Sequence, residues 1–124
     1  MTEKQLEERN AIIESVSIRN DEHGCLSAYL HLDYGGSGQS FGGYALYVPR
    51  EFINNENTAN YAGHFIWRIM EVAGVDEWAE LAGKTIRVKA QRFGRIKAIG
   101  NIVKDDWFYP EIDFDKMMAI EVEE

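Results

Sequence analysis

Helical spacing of apolar residues is sustained over one sizeable stretch of this chain, NYAGHFIWRIMEVAG at residues 60–74, whereas the other apolar runs alternate. One helix cannot make a bundle, and strands with one apolar face need a cover. The expected class is therefore α+β, a mostly antiparallel sheet with one main helix packed across it. Asn60 is the expected N-cap of that helix and Gly74 its stop. Phe65, Ile66, Trp67, Ile69, Met70, Val72 and Ala73 cover most of its circumference. A helix apolar nearly all round is buried on more than one side. In so short a chain a second copy is the expected cover, which predicts a homo-oligomer.

The strands are read from their alternation. AIIESVSIR places Ile12, Val16 and Ile18 on one face, and NDEHG at 20–24 is a turn signal. CLSAYLHLD then sets Leu26, Ala28, Leu30 and Leu32 against Ser27, Tyr29, His31 and Asp33, completing a hairpin. YALYV is expected as a third strand stopped by Pro49, and REFINNENTA as a polar loop or helix approach. DEWAELAG predicts a short helix capped by Asp76 and stopped by Gly83. KTIRVKAQRFGRIKAIGNIVK predicts two strands around Gly94, with Ile86, Val88 and Ala90 inward and Arg87, Lys89, Gln91 and Phe93 outward. The 124 residues make a single domain, 1–124, with a charged leader over 1–10. An acidic, aromatic tail, ending in residues 115–124, is expected to drape over the sheet.

Charge narrows the partners. A net charge of −8 opposes approach to duplex nucleic acid. No apolar run reaches the roughly 20 residues that a membrane helix needs. MTEKQLEERN lacks the apolar core of a signal peptide. A lone cysteine, Cys25, excludes an internal disulfide and fits a reducing compartment, so a cytoplasmic location is expected. The charge is segregated: Lys84 to Lys104 holds seven basic residues and no acidic one, leaving six basic against twenty-one acidic elsewhere.

Three features are candidates for binding. LDYGGSGQSFGGYAL, residues 32–46, packs five of eleven glycines into nine residues. It is neither a Walker A loop nor a dinucleotide fingerprint, since Phe41 stands where the third glycine belongs. Gly36 and Gly38 can offer backbone N–H groups to an anion, or the segment is a plain hairpin connection. In the basic hairpin, Phe93 sits among Arg92, Arg95, Lys97 and Lys104, suiting a stacked base with its phosphates held by arginine. The alternative is a solvated strand face whose charges answer the acidic tail. Arg68, among buried neighbours, needs an anionic partner, either a carboxylate such as Glu71 or Asp76 or a ligand phosphate.

No cofactor is expected, and no metal: His23, Cys25, His31 and Asp33 match no standard ligand spacing, and His64 lies on a separate helix. Nothing resembles a nucleophile in a catalytic context, so the chain is not expected to be an enzyme.

EHGCLSAYLHLDYGGSGQSFGGYAL, IWRIMEVAGVDEWAELAGKTIRVK and GRIKAIGNIVKDDWF together resemble the first-described phage Thoeris anti-defence family. The likeness runs from about Ile12 to Phe114, and the glycine segment is its most distinctive part. The resemblance implies a non-enzymatic sponge, dimeric or hexameric, working in the cytoplasm of the infected bacterium. It implies sequestration of cyclic ADP-ribose isomers, with cyclic oligonucleotides of CBASS-type defence bound by some members at separate sites. It carries ligand roles onto Arg68 and Phe93, and less closely onto Asn101, Arg95 and Lys104. Two other classes stand beside it: an acidic protein-interaction inhibitor of a bacterial defence complex, and a small enzyme degrading the same ligands.

Overall fold

The computed structural model describes residues 6–20, 26–44, 46, 61–91 and 94–123. Its frame is one long strand, β1 (Leu6–Asn20), shared between two ladders. The first half, Leu6 to Ile12, pairs antiparallel with β4 (Thr85–Gln91). The second half, from Ile12 to Asn20, pairs with β2 (Leu26–Asp33). β3 (Gly38–Gly42) adds to β2, and β5 (Ile96–Gly100) and β6 (Trp107–Phe108) follow β4. The result is a six-stranded antiparallel sheet in the order β3-β2-β1-β4-β5-β6. Two helices complete the α+β architecture: α1 (Tyr61–Ala73) and α2 (Pro110–Glu123).

α1 supplies Ala62, Phe65, Ile69 and Val72 to the core, at the spacing that aligns one helical face. They meet Ala11 and Ile13 of β1, Leu30 and Leu32 of β2, Phe41 of β3, Ile86 and Val88 of β4, and Ile96 and Ile99 of β5. Gly74 stops the helix at φ 77°, with its N–H and that of Val75 both returning to the Met70 carbonyl. α2 is held against α1 where His64 Nε2 lies 2.7 Å from Asp113 Oδ2.

Several sequence expectations are corrected. Ile12 does not share a face with Val16 and Ile18. A bulge between Ile13 and Ser15 inserts one residue, so Ile13 and Val16 both oppose inward-facing leucines, while Ile12 turns outward and is 47% exposed. The third strand of the described sheet is the glycine-rich segment itself, ahead of YALYV. Gly42, at φ 119°, passes so near β2 that a Cβ there would lie 2.2 Å from the Ala28 carbonyl oxygen. Of YALYV, Leu46 makes a single bridge to Leu26, while Ala45, Tyr47 and Val48 lie outside the described residues, as do REFINNENTA and Asn60. The charged leader is half strand, since β1 begins at Leu6. DEWAELAG forms a short 3-10 turn, Trp78–Leu81, capped by Glu77 rather than Asp76. The tail contributes β6, lays Trp107 and Tyr109 over the outer face of the sheet, and then coils into α2.

Ile86 and Val88 face the core and Arg87 and Lys89 the opposite surface, as their alternation requires. That surface is not open. Trp107 lies 4.8 Å from the Arg87 guanidinium and 4.3 Å from Lys89 Nζ, and Lys89 also donates to the Tyr109 hydroxyl at 3.0 Å. Lys97 pairs with Glu111 at 3.3 Å. The tail thus answers much of the basic hairpin.

Candidate functional site

β2 ends at Asp33, opposite Ile12, so among the described residues the first half of β1 has no strand beside it on that flank. The chain turns there through Gly35 (φ 89°) and Gly36 (φ 140°), and a cleft of about 430 Å³ opens between this connection and β1. That volume lies within the usual range for small-molecule sites, roughly 300–1,000 Å³.

Alternation along β1 supplies the cleft's charges. Ala11 and Ile13 point into the core, and two and four residues earlier Arg9 and Glu7 hold the same inward phase, opposite Val88 and Ala90. The inward row therefore turns from apolar to charged as it enters the cleft. Arg9 donates to Glu7 Oε2 at 3.5 Å, and its guanidinium lies 5.6 Å from the Tyr34 ring centroid. Burial pushes the Tyr34 hydroxyl above its ordinary pKa, with Arg9 pulling the other way.

The far wall is built by Gln39, which faces inward because it pairs with Leu32. Its Oε1 accepts from the Tyr34 hydroxyl at 2.9 Å, and its Nε2 donates to the Gly94 carbonyl at 2.7 Å. In a flat sheet β3 and β4 would stand three strand spacings apart, roughly 14 Å. The bond to the β4–β5 turn therefore requires a coiled sheet. Ser37 and Gly38 complete the rim, and among the described residues the Gly36 and Ser37 amides have no acceptor. Both signs of charge, one aromatic ring and several amides thus converge on one concavity.

The residues singled out in the sequence fall into two places. Gly38 lines the cleft and Gly36 adjoins it. Arg95 is exposed beyond the turn, 5.5 Å from the Tyr44 ring centroid. Phe93, with Arg92, His23 and Cys25, lies outside the described residues.

Arg68, Asn101 and Lys104 gather at the other end of the molecule. Arg68 is 13% exposed; it donates to Glu71, to Asp106 Oδ1 at 2.9 Å and to the Trp107 carbonyl at 2.9 Å. Asp106 stands where Asp76 was anticipated. Burial alone would lower the Arg68 pKa, but the bonds to Asp106 and Glu71 outweigh it and raise it. Asn101 donates to the Val72 carbonyl at 2.8 Å and accepts the N–H groups of Val103 and Lys104, tying the end of α1 to the β5–β6 connection. Lys104 is exposed, and its carbonyl accepts from Arg87 at 2.9 Å.

Glu7, Arg9, Tyr34 and Gln39 were not anticipated as site residues. The legible signal was the period-two phase running backward from Ile13 through Ala11 to two charged residues.

Among the described residues no group of His, Cys, Asp and Glu could hold a metal ion, and no helix is long and apolar enough to cross a membrane. Comparison with family models, with curated proteins and with solved structures finds no significant match to this chain.

Proposed function

We propose that this chain is a non-enzymatic phage anti-defence sponge. It binds immune signalling nucleotides in the infected bacterium, glycocyclic ADP-ribose isomers first among them, and so withholds them from their effectors. The reading rests on the family resemblance, and one observation supports it: an arginine over a tyrosine ring in a concave cleft, with the Ser37 amide at its rim and the Gly36 amide adjoining. Such a place offers a base a flat surface and a phosphate a guanidinium fork. Gly94 of the β4–β5 turn lines the cleft and directly follows Phe93, which keeps Phe93 in the proposal as a stacking residue. Arg68, with its carboxylate and carbonyl partners, is assigned a supporting role. The working form is a homo-oligomer covering the exposed Trp67.

The test is depletion and recovery. Protein is mixed with glycocyclic ADP-ribose, filtered, and the retained fraction heat-denatured. Intact recovery is expected. Altered ligand would identify an enzyme instead, and no depletion would redirect the search to a protein target.

A further inference from the structure

We propose that Gln39 is a positioning residue for ligand binding, presetting the cleft by tying its overhanging wall to the β4–β5 turn. This rests on the reading of the cleft as the nucleotide site and says how that site keeps its shape.

The floor of the cleft is built on a ladder and the wall is not. Glu7 and Arg9 of β1 and Ala90 and Gln91 of β4 form the floor, and the pairing of those strands runs from Leu6–Gln91 to Ile12–Thr85. The wall is the connection from Tyr34 to Ser37. Strand pairing stops at Asp33, opposite Ile12 on one side and Gly38 on the other, so no ladder reaches these four residues. Their backbone bonds are local: the Gly35 amide donates to Asp33 Oδ1 at 2.8 Å, and the Tyr34 amide to the Ser37 carbonyl at 2.9 Å. Packing braces the middle of the connection little, since a Cβ built on Gly35 or Gly36 would meet nothing within 4 Å.

Tyr34 offers the flat surface of the proposed site from this wall. Its ring packs in part against the core, and the bond from its hydroxyl to Gln39 Oε1 supplies the second point that fixes its tilt. Gln39 Nε2 then donates to the Gly94 carbonyl, which can only accept, so the amide has one possible orientation. One side chain thereby holds the ring and sets the distance between wall and turn. Arg95 over the Tyr44 ring is a second link to that turn, but neither residue lines the cleft. Without the Gln39 tie the wall is ordered only when ligand arrives, and that ordering cost is subtracted from affinity. Gln39 needs no ligand contact of its own to have this effect.

The probe is glycocyclic ADP-ribose. The variants are Gln39→Ala and Tyr34→Phe, which keeps the ring and removes only the hydroxyl. Each should speed release of the probe by roughly five- to tenfold, because losses of this kind fall mainly on dissociation. The double variant should release it no faster than Gln39→Ala alone, since both changes break the same tie. Circular dichroism and urea curves should show every variant folded under the assay conditions, where a purely structural role would leave the release rate unchanged. Wild-type release rates in both single variants overturn the proposal and leave the sponge standing, as does a loss confined to one of them. Losses that add in the double variant overturn it too, making the two side chains separate ligand contacts. Failure of the wild type to retain the probe overturns the sponge reading and this one together.

Discussion

Gln39 Nε2 donates to the Gly94 carbonyl at 2.7 Å, joining an edge strand to a turn 55 residues further along the chain. No backbone ladder links those elements, since β2 and β1 stand between them. The Tyr34 hydroxyl fixes the orientation of the Gln39 amide from the other side. The three residues form a strap across the cleft.

Cutting the strap should loosen the edge strand. Gln39→Ala is expected to cost about 1 kcal/mol in urea denaturation, the usual net worth of such a bond. Gln39→Glu should cost more, because a carboxylate there faces a carbonyl with nothing to donate. Hydrogen exchange should rise at the β3 amides in both variants and stay unchanged in α1. Unchanged exchange in β3 would show that the backbone ladder alone holds the strand.

Removing Arg68 should act on stability. Arg68→Ala leaves Glu71, Asp106 and the Trp107 carbonyl without their donor, at a cost of about 1–3 kcal/mol. Arg68→Lys should recover only part, since an ammonium cannot reproduce the planar fork that spans these acceptors. Urea midpoints check the order. Ligand retention by folded Arg68→Ala near the wild-type level would agree with the supporting role assigned here, whereas a large specific loss would return Arg68 to the binding site.

The oligomer is tested at Trp67, which is 55% exposed on α1 although its helical neighbours Phe65 and Ile69 are fully buried. Trp67→Glu places a charge where the second copy is proposed to pack. Light scattering should report a multiple of 14.2 kDa for the wild type and a shift toward 14.2 kDa for the variant. A wild-type monomer at micromolar concentration would remove the oligomer from the functional reading.

Stability should fall at alkaline pH. Burial raises the Tyr34 and Tyr44 hydroxyls above the ordinary 10.0, for Tyr44 with help from Glu111 and against Arg95. For a group whose folded pKa is raised, the contribution is complete below the unfolded value and is lost as pH climbs through the folded one. The loss should therefore begin near pH 10 and continue above it. Urea midpoints across that range, with phenolate absorbance followed in parallel, measure it. Tyr44→Phe should flatten the decline, and an unchanged slope would place its origin elsewhere.

What the sequence determined by itself was local. The 3.6-residue spacing of Phe65, Ile69 and Val72 specified α1, and Gly74 marked its end, because helix periodicity and its stop are written in consecutive residues. The alternation in β2 and β4 likewise told which of their side chains face inward. Tertiary structure decided the rest. No local pattern says that β1 divides itself between two partners, or that a bulge at Ile13–Ser15 reverses the phase between them. Arg68 had two acidic neighbours close in sequence, and its pairing with Asp106 depended on which strand α1 crosses. The cleft is the clearest case. Glu7 and Arg9 read as a charged leader until β4 captures them and β2 stops short, leaving the glycine connection to close over the gap. Strand pairing is a contact between distant segments, and its register is settled by burial of the whole sheet rather than by either strand alone.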